Sequence, residues 1–107
     1  MENRIEPGLA PPPGYAHTVT VGSGERLVFA AGSVPIDQSG SLVGAGDLRA
    51  QTRAVLTNLA EALRGAGTGL DRVVATTVYV VAAEQADLAT VWEEVRASEL
   101  SAGPHTS

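Results

Sequence analysis

Two stretches, LVFAAGSV at 27–34 and RVVATTVYVV at 72–81, limit what this chain can become. Both are nearly unbroken in apolar and β-branched residues, the composition of strands. An alternating strand has one wet face, whereas a continuous one has to be covered on both. Between them lies one long helical pattern, DLRAQTRAVLTNLAEALRGAG at 47–67. A strand, a helix and a strand in that order predict a right-handed crossover with the two strands parallel.

The helical pattern has a single apolar stripe. Leu48, Val55, Leu56, Leu59 and Leu63, with Thr52 between the first two, recur at three- and four-residue spacing. Asp47 can cap its start, and Gly65 or Gly67 can close its end. Arg49, Arg53 and Glu61 fall on the other side. A second stripe follows the 72–81 run: Leu88, Val91, Trp92 and Val95, with Glu93, Glu94 and Arg96 outside. Each helix should therefore lie on a sheet with its other side in water. Two helices cover one face of a small sheet, and the second face needs a partner. Another copy of the chain is the simplest one, which predicts a homo-oligomer.

The rest of the chain is arranged around these elements. Residues 1–14 are Pro-rich, with the run Pro11-Pro12-Pro13-Gly14, and read as an extended arm leading into a turn. HTVTVG at 17–22 reads as a strand, and GSGER at 22–26 as a loop joining it in a hairpin to 27–34. Pro35 ends that run, and DQSGS at 37–41 is a turn. The order is β-β-α-β-α in one domain, a mixed α/β (α+β) sheet with helices on one face. Gly103-Pro104 then breaks the helical pattern, and His105-Thr106-Ser107 sits where another strand would begin. Three strands alone would leave an exposed edge, so further C-terminal strands are expected beyond the given sequence.

Composition closes many routes to chemistry. The formal net charge is −5 and no basic patch is present, which argues against nucleic acid and anionic membranes as partners. No signal-peptide pattern precedes residue 15, so a cytoplasmic protein is expected. There is no Cys, hence no disulfide, thiolate nucleophile or thiolate metal site. All seven basic residues are Arg, which removes Schiff-base and P-loop lysines. His17 and His105 are far apart and in no metal spacing. Any activity would run on hydroxyls, carboxylates, backbone groups and water, with no metal or organic cofactor.

The order of elements and several stretches resemble the RidA family, also called the YjgF family. PGYAHTV at 13–19, LVFAAGSVPID at 27–37, GDLRAQTRAVLTNLAEALRGAG at 46–67, LDRVVATTVYV at 70–80 and GPHTS at 103–107 are similar to its segments in order. The resemblance implies a chorismate-mutase-like fold and a homotrimer with its sheets packed inward. It also implies small-molecule ligand sites in the clefts between subunits. The best-known members hydrolyse reactive enamines and imines to 2-oxo acids and ammonia. In them an arginine holds the substrate carboxylate, and backbone groups with a glutamate position water. Some relatives are described as ribonucleases.

Carried over by position, the resemblance implies a cleft formed by Tyr15, Ala31, Gly32, Trp92, His105 and Thr106. Tyr15 matches the cleft tyrosine and Gly32 the strand glycine, preceded by Ala31 in place of serine. Trp92 stands at the helix asparagine. Thr106 stands where the carboxylate-binding arginine belongs, with His105 before it, and the glutamate belongs to a later strand. Losing a two-pronged guanidinium grip for one hydroxyl lowers affinity for a carboxylate by at least about tenfold. The chain thus resembles a divergent member for which 2-aminoacrylate is a doubtful substrate. A distant arginine such as Arg26 of a neighbouring subunit could fill the gap. Each residue also has a plain structural reading: Tyr15 a turn tyrosine, Trp92 a core aromatic, Gly32 a bulge, Thr106 a strand former, His105 a solvent-facing strand residue. Glu93, Glu94 and Glu99 read as a solvated helix face. The two function classes are an imine or enamine hydrolase and a non-catalytic metabolite-binding trimer, with ribonuclease ranked last.

Overall fold

The computed structural model describes residues 1–103, 105 and 106. Pro104 of the breaker pair and Ser107 of the expected strand start lie outside the described residues. The chain forms a small α+β domain with a two-stranded antiparallel sheet and two helices.

Helix α1 spans Leu48–Gly65 and helix α2 spans Gln85–Arg96. The start of α1 follows its sequence: the Asp47 carboxylate accepts from the Ala50 amide at 3.1 Å. At the start of α2 the Asp87 carboxylate accepts from the amides of Ala83 and Glu84 at 3.0 and 3.1 Å. The α1 stripe turns inward, with Thr52 and Leu63 buried and Leu48, Leu56 and Leu59 packed against the core. From α2, Val91 and Val95 enter the same core and Trp92 borders it, while Leu88 stays exposed. Two 3-10 turns, Leu70–Arg72 and Glu99–Ala102, complete the core with Leu70 and Leu100. Burying one such side chain contributes about 1.5–3 kcal/mol. The turns meet so closely that a Cβ on Gly103 would stand 2.6 Å from the Asp71 carbonyl carbon.

Strand pairing departs from expectation. Strand β2, Thr18–Thr20, pairs with strand β1, Glu2–Arg4, in antiparallel register with Asn3 opposite Val19. The Pro-rich arm therefore begins as a strand, and the hairpin from 17–22 to 27–34 does not form. The GSGER loop is held by Glu25 instead, whose carboxylate accepts from the Gly22 amide and from the N-terminal ammonium, each at 2.8 Å.

The run at 27–34 carries no ladder, and its C-terminal end is tied to α1 through side chains. The Ser33 hydroxyl donates to the Val55 carbonyl at 2.7 Å, and the Asn58 amide donates to the carbonyls of Val34 and Ile36. The parallel pairing of 27–34 with 72–81 is likewise absent. The parallel partner of the second run is the segment after α2: Ala75 bridges Thr106, with Thr106 N donating to Val74 O at 2.7 Å and Thr76 N to Thr106 O at 3.1 Å. The expected strand position at residue 106 is therefore occupied. The turn at 37–41 forms as read, with the Asp37 carboxylate accepting from the Ser39 and Ser41 amides.

The outer face of both runs is uncovered in the single chain. Phe29 is 89% exposed, Tyr79 93% and Val81 99%.

One helix-face reading needs correction. Glu94 is not a solvated residue; its side chain is 12% exposed. Arg53 donates to both its oxygens, from Nε at 2.9 Å and Nη2 at 3.0 Å, and Arg49 Nη1 donates at 3.1 Å while its Nη2 reaches Glu93. This cluster ties α1 to α2. The hydrogen bonds from Arg53, then those from Arg49, hold the Glu94 carboxyl below its ordinary value. A carboxyl depressed on folding stabilises the fold above its unfolded value, and that contribution is lost as pH falls through the folded one. Thermal melts of the native protein and Glu94→Gln should therefore differ at neutral pH, with the native protein melting higher. The gap should close in acid below the ordinary carboxylate range; a gap independent of pH contradicts the assignment.

Candidate functional site

The site residues expected from the sequence separate into two regions. Tyr15 and Trp92 come together. Their rings meet edge to face, with centroids 6.0 Å apart and planes at 76°. The Trp92 indole donates from Nε1 to the Pro13 carbonyl at 2.7 Å. Trp92 is thus a half-buried clamp that fastens the PGY turn onto α2. The next residue, Ala16, is buried, and its amide donates to the His105 carbonyl at 3.0 Å. The turn is therefore held from both ends of its four residues.

His105 is 2% exposed, which overturns the expectation of a solvent-facing ring. Neither ring nitrogen has a hydrogen-bond partner among the described residues. Leaving such a buried polar group unpaired costs on the order of 1–3 kcal/mol. Thr106 supplies its backbone to the bridge, and its hydroxyl donates to the Val74 carbonyl at 3.1 Å. That hydroxyl is therefore committed to the sheet.

Beside the Tyr15 turn opens a cavity of about 360 Å³, lined by Asn3, Tyr15, Arg96 and Ser101 among others. Neither Asn3 nor Arg96 stood out in the sequence. The available signal was spacing: Arg96 follows Trp92 by one helical turn, so the two share a face of α2.

Ala31 and Gly32 lie elsewhere, in an apolar groove of about 430 Å³ between the 27–34 run and α1, flanked by Phe29, Leu59 and Leu63. Gly32 has open space where a Cβ would stand, and both residues are exposed. Arg26 donates to the Ala66 carbonyl at the end of α1, at 3.1 Å. Among the described residues, no group of three or more His, Asp or Glu side chains is placed to hold a metal ion. No helix of the described residues is long and apolar enough to cross a membrane.

A family model described as endoribonuclease L-PSP matches residues 7–107. The crystal structure of YyfB from Yersinia pestis, described as a protein of unknown function of the conserved Rid protein family, superposes with a TM-score of 0.83 at 36% identity. That match covers 99% of this chain and 82% of the other. The chain belongs to the RidA family. Among curated Rid relatives, a RutC family protein of Pyrococcus abyssi is 37% identical over 62% of this chain and 50% of its own length. The 3-aminoacrylate deaminase RutC of Acinetobacter baylyi is 33% identical over 71% of this chain and 60% of its own length. The chain spans about half the length of the first of these relatives. Within the Rid fold, Tyr15 and Trp92 sit together on the described surface, whereas Ala31 and Gly32 form a separate strip.

The Trp92 clamp is directly testable. Trp92→Phe keeps a ring against Tyr15 but deletes the donor to Pro13. It should cost about 0.5–1.5 kcal/mol in urea unfolding and speed hydrogen exchange at the Ala16 amide. Unchanged exchange there would mean that the indole bond does not hold the turn.

Proposed function

We propose that the chain forms part of a Rid-type homotrimer that hydrolyses a small imine or enamine in a cleft between subunits. The observation that carries this reading is the Tyr15 corner. A phenol whose hydroxyl has no partner among the described residues is fixed by Trp92 at the mouth of an open cavity. The resemblance to a protein named 3-aminoacrylate deaminase supports the reaction class. Water adds to the C=N carbon, a proton moves to nitrogen, and the tetrahedral adduct collapses to a carbonyl and ammonia. The Tyr15 hydroxyl and backbone groups are the donors at hand for such a transfer.

The trimer reading rests on the uncovered face of the two runs. Phe29, Tyr79 and Val81 together expose apolar surface of the kind that marks a subunit interface. Sedimentation of the protein should give a three-chain particle over a broad concentration range; a stable single-chain particle overturns the assembly.

Thr106 is a poor anchor for a carboxylate, since its hydroxyl already serves Val74. A ribonuclease reading fits the name of the family model but not the charge of −5, which repels a polyanion. The test is ammonia release from freshly generated 2-iminopropionate and from a neutral imine. Release from either above the buffer rate, reduced in Tyr15→Phe, is the expected result. No release from either, with saturable metabolite binding, makes the protein a non-catalytic binding trimer.

A further inference from the structure

Of the seven arginines, six are engaged within the described residues. Arg4, Arg49, Arg53, Arg64 and Arg72 face carboxylates, and Arg26 donates to a carbonyl. Arg96 alone has no acceptor for its guanidinium among the described residues. An arginine ending a helix commonly serves the helix carbonyls. Here that role is filled by serines, because Ser98 donates from its hydroxyl to the Val95 carbonyl and Ser101 from its hydroxyl to the Arg96 carbonyl.

The Arg96 side chain instead lies across Gly14. Its Nε, Cδ and Cγ would stand 2.8, 3.1 and 3.2 Å from a Cβ built on that glycine. Gly14 also holds φ at +93°, a conformation that favours glycine. The turn therefore has no side chain at the point where the arginine stem crosses it. This places Arg96 in the wall of the cavity that also contains Tyr15 and Asn3. The Asn3 side-chain amide, like the Tyr15 hydroxyl, makes no hydrogen bond within the described residues. Among the described residues no Asp or Glu lines the cavity, while Ile5 and Pro12 give it an apolar side. Its volume of about 360 Å³ suits a small molecule.

A forked cation, a phenol and an amide around one space, with no anion among them, match a carboxylate. We propose that this cavity binds a small organic carboxylate, with Arg96 as its anchor and Tyr15 and Asn3 as neutral donors. Arg96 then supplies, from the end of α2, the grip that Thr106 does not. The proposal rests on the reading above only in making that carboxylate part of an imine substrate or its 2-oxo acid product.

The experiment is calorimetric titration of the protein with pyruvate and with its neutral counterpart pyruvamide, alongside Arg96→Gln and Arg96→Lys. Pyruvate should bind the native protein at least about tenfold more tightly than pyruvamide does. Arg96→Gln should lose at least about tenfold for pyruvate and little for pyruvamide, and Arg96→Lys should recover part of the loss. Circular dichroism checks that the helices persist. Gly14→Ala, which displaces the arginine stem without removing the charge, should also weaken pyruvate. Equal binding of pyruvate to the native protein and Arg96→Gln, equal binding of the two ligands, or no pyruvate binding at all overturns the proposal. Ammonia release separates it from the proposed reaction. Arg96-dependent pyruvate binding in a protein that hydrolyses no imine leaves this site standing without that reaction. Turnover with Arg96-independent pyruvate binding refutes the anchor alone.

Discussion

The structure is governed by a shortage of interior. The chain is rich enough in apolar residues to build a core, yet the buried apolar set among the described residues is Ala16, Leu63, Leu70, Val91, Val95 and Leu100. These come from the two helices, the two 3-10 turns and the PGY turn. The two greasiest segments lie outside that set. The 72–81 run sends Val73 and Val80 to the core, whereas residues 27–32 are exposed throughout, and an apolar side chain left in water gives up the free energy its burial would contribute. The helix pair can shelter only what it touches. What it does not touch defines the surface where further packing would be most favourable.

The helices were legible in the sequence because their determinants are local. A stripe at three- and four-residue spacing, an aspartate before it and glycines after it act within a turn or two of each other. Asp47, Thr52 and Leu63 are found as that logic places them. Strand pairing was not legible, because a strand's partner is chosen by contacts distant in sequence. Glu2, Asn3 and Arg4 have little strand character, yet they pair with Thr18–Thr20 while the stronger formers at 27–34 do not pair. The end of that run is tied to α1 by the Ser33 hydroxyl on Val55 and by Asn58 on the Val34 carbonyl, side-chain bonds that no propensity expresses.

The site divides in the same way. The proximity of Tyr15 and Trp92 was implicit in their shared membership of the inferred cleft, and the edge-to-face geometry realises it. The burial of His105 was not visible, since the residue meets partners distant in sequence, its carbonyl bonding Ala16, 89 positions earlier. Glu94 looked like any exposed helix carboxylate, and only the approach of Arg49 and Arg53 from the other helix shows its role. Arg96 carried no motif. Its interest comes from what surrounds it and from what it lacks.

The contacts between Ala16 and His105, and between Ala75 and Thr106, join segments about 30 to 90 residues apart in sequence. Such long-range closures are slow to form, because the intervening chain must give up its freedom first. During synthesis the helices can condense early, but the PGY turn has nothing to close against until residue 105 has left the ribosome. The corner bearing the tyrosine thus closes after both helices have been made, and a nascent chain stalled before residue 105 would carry a helical hairpin with that corner still open.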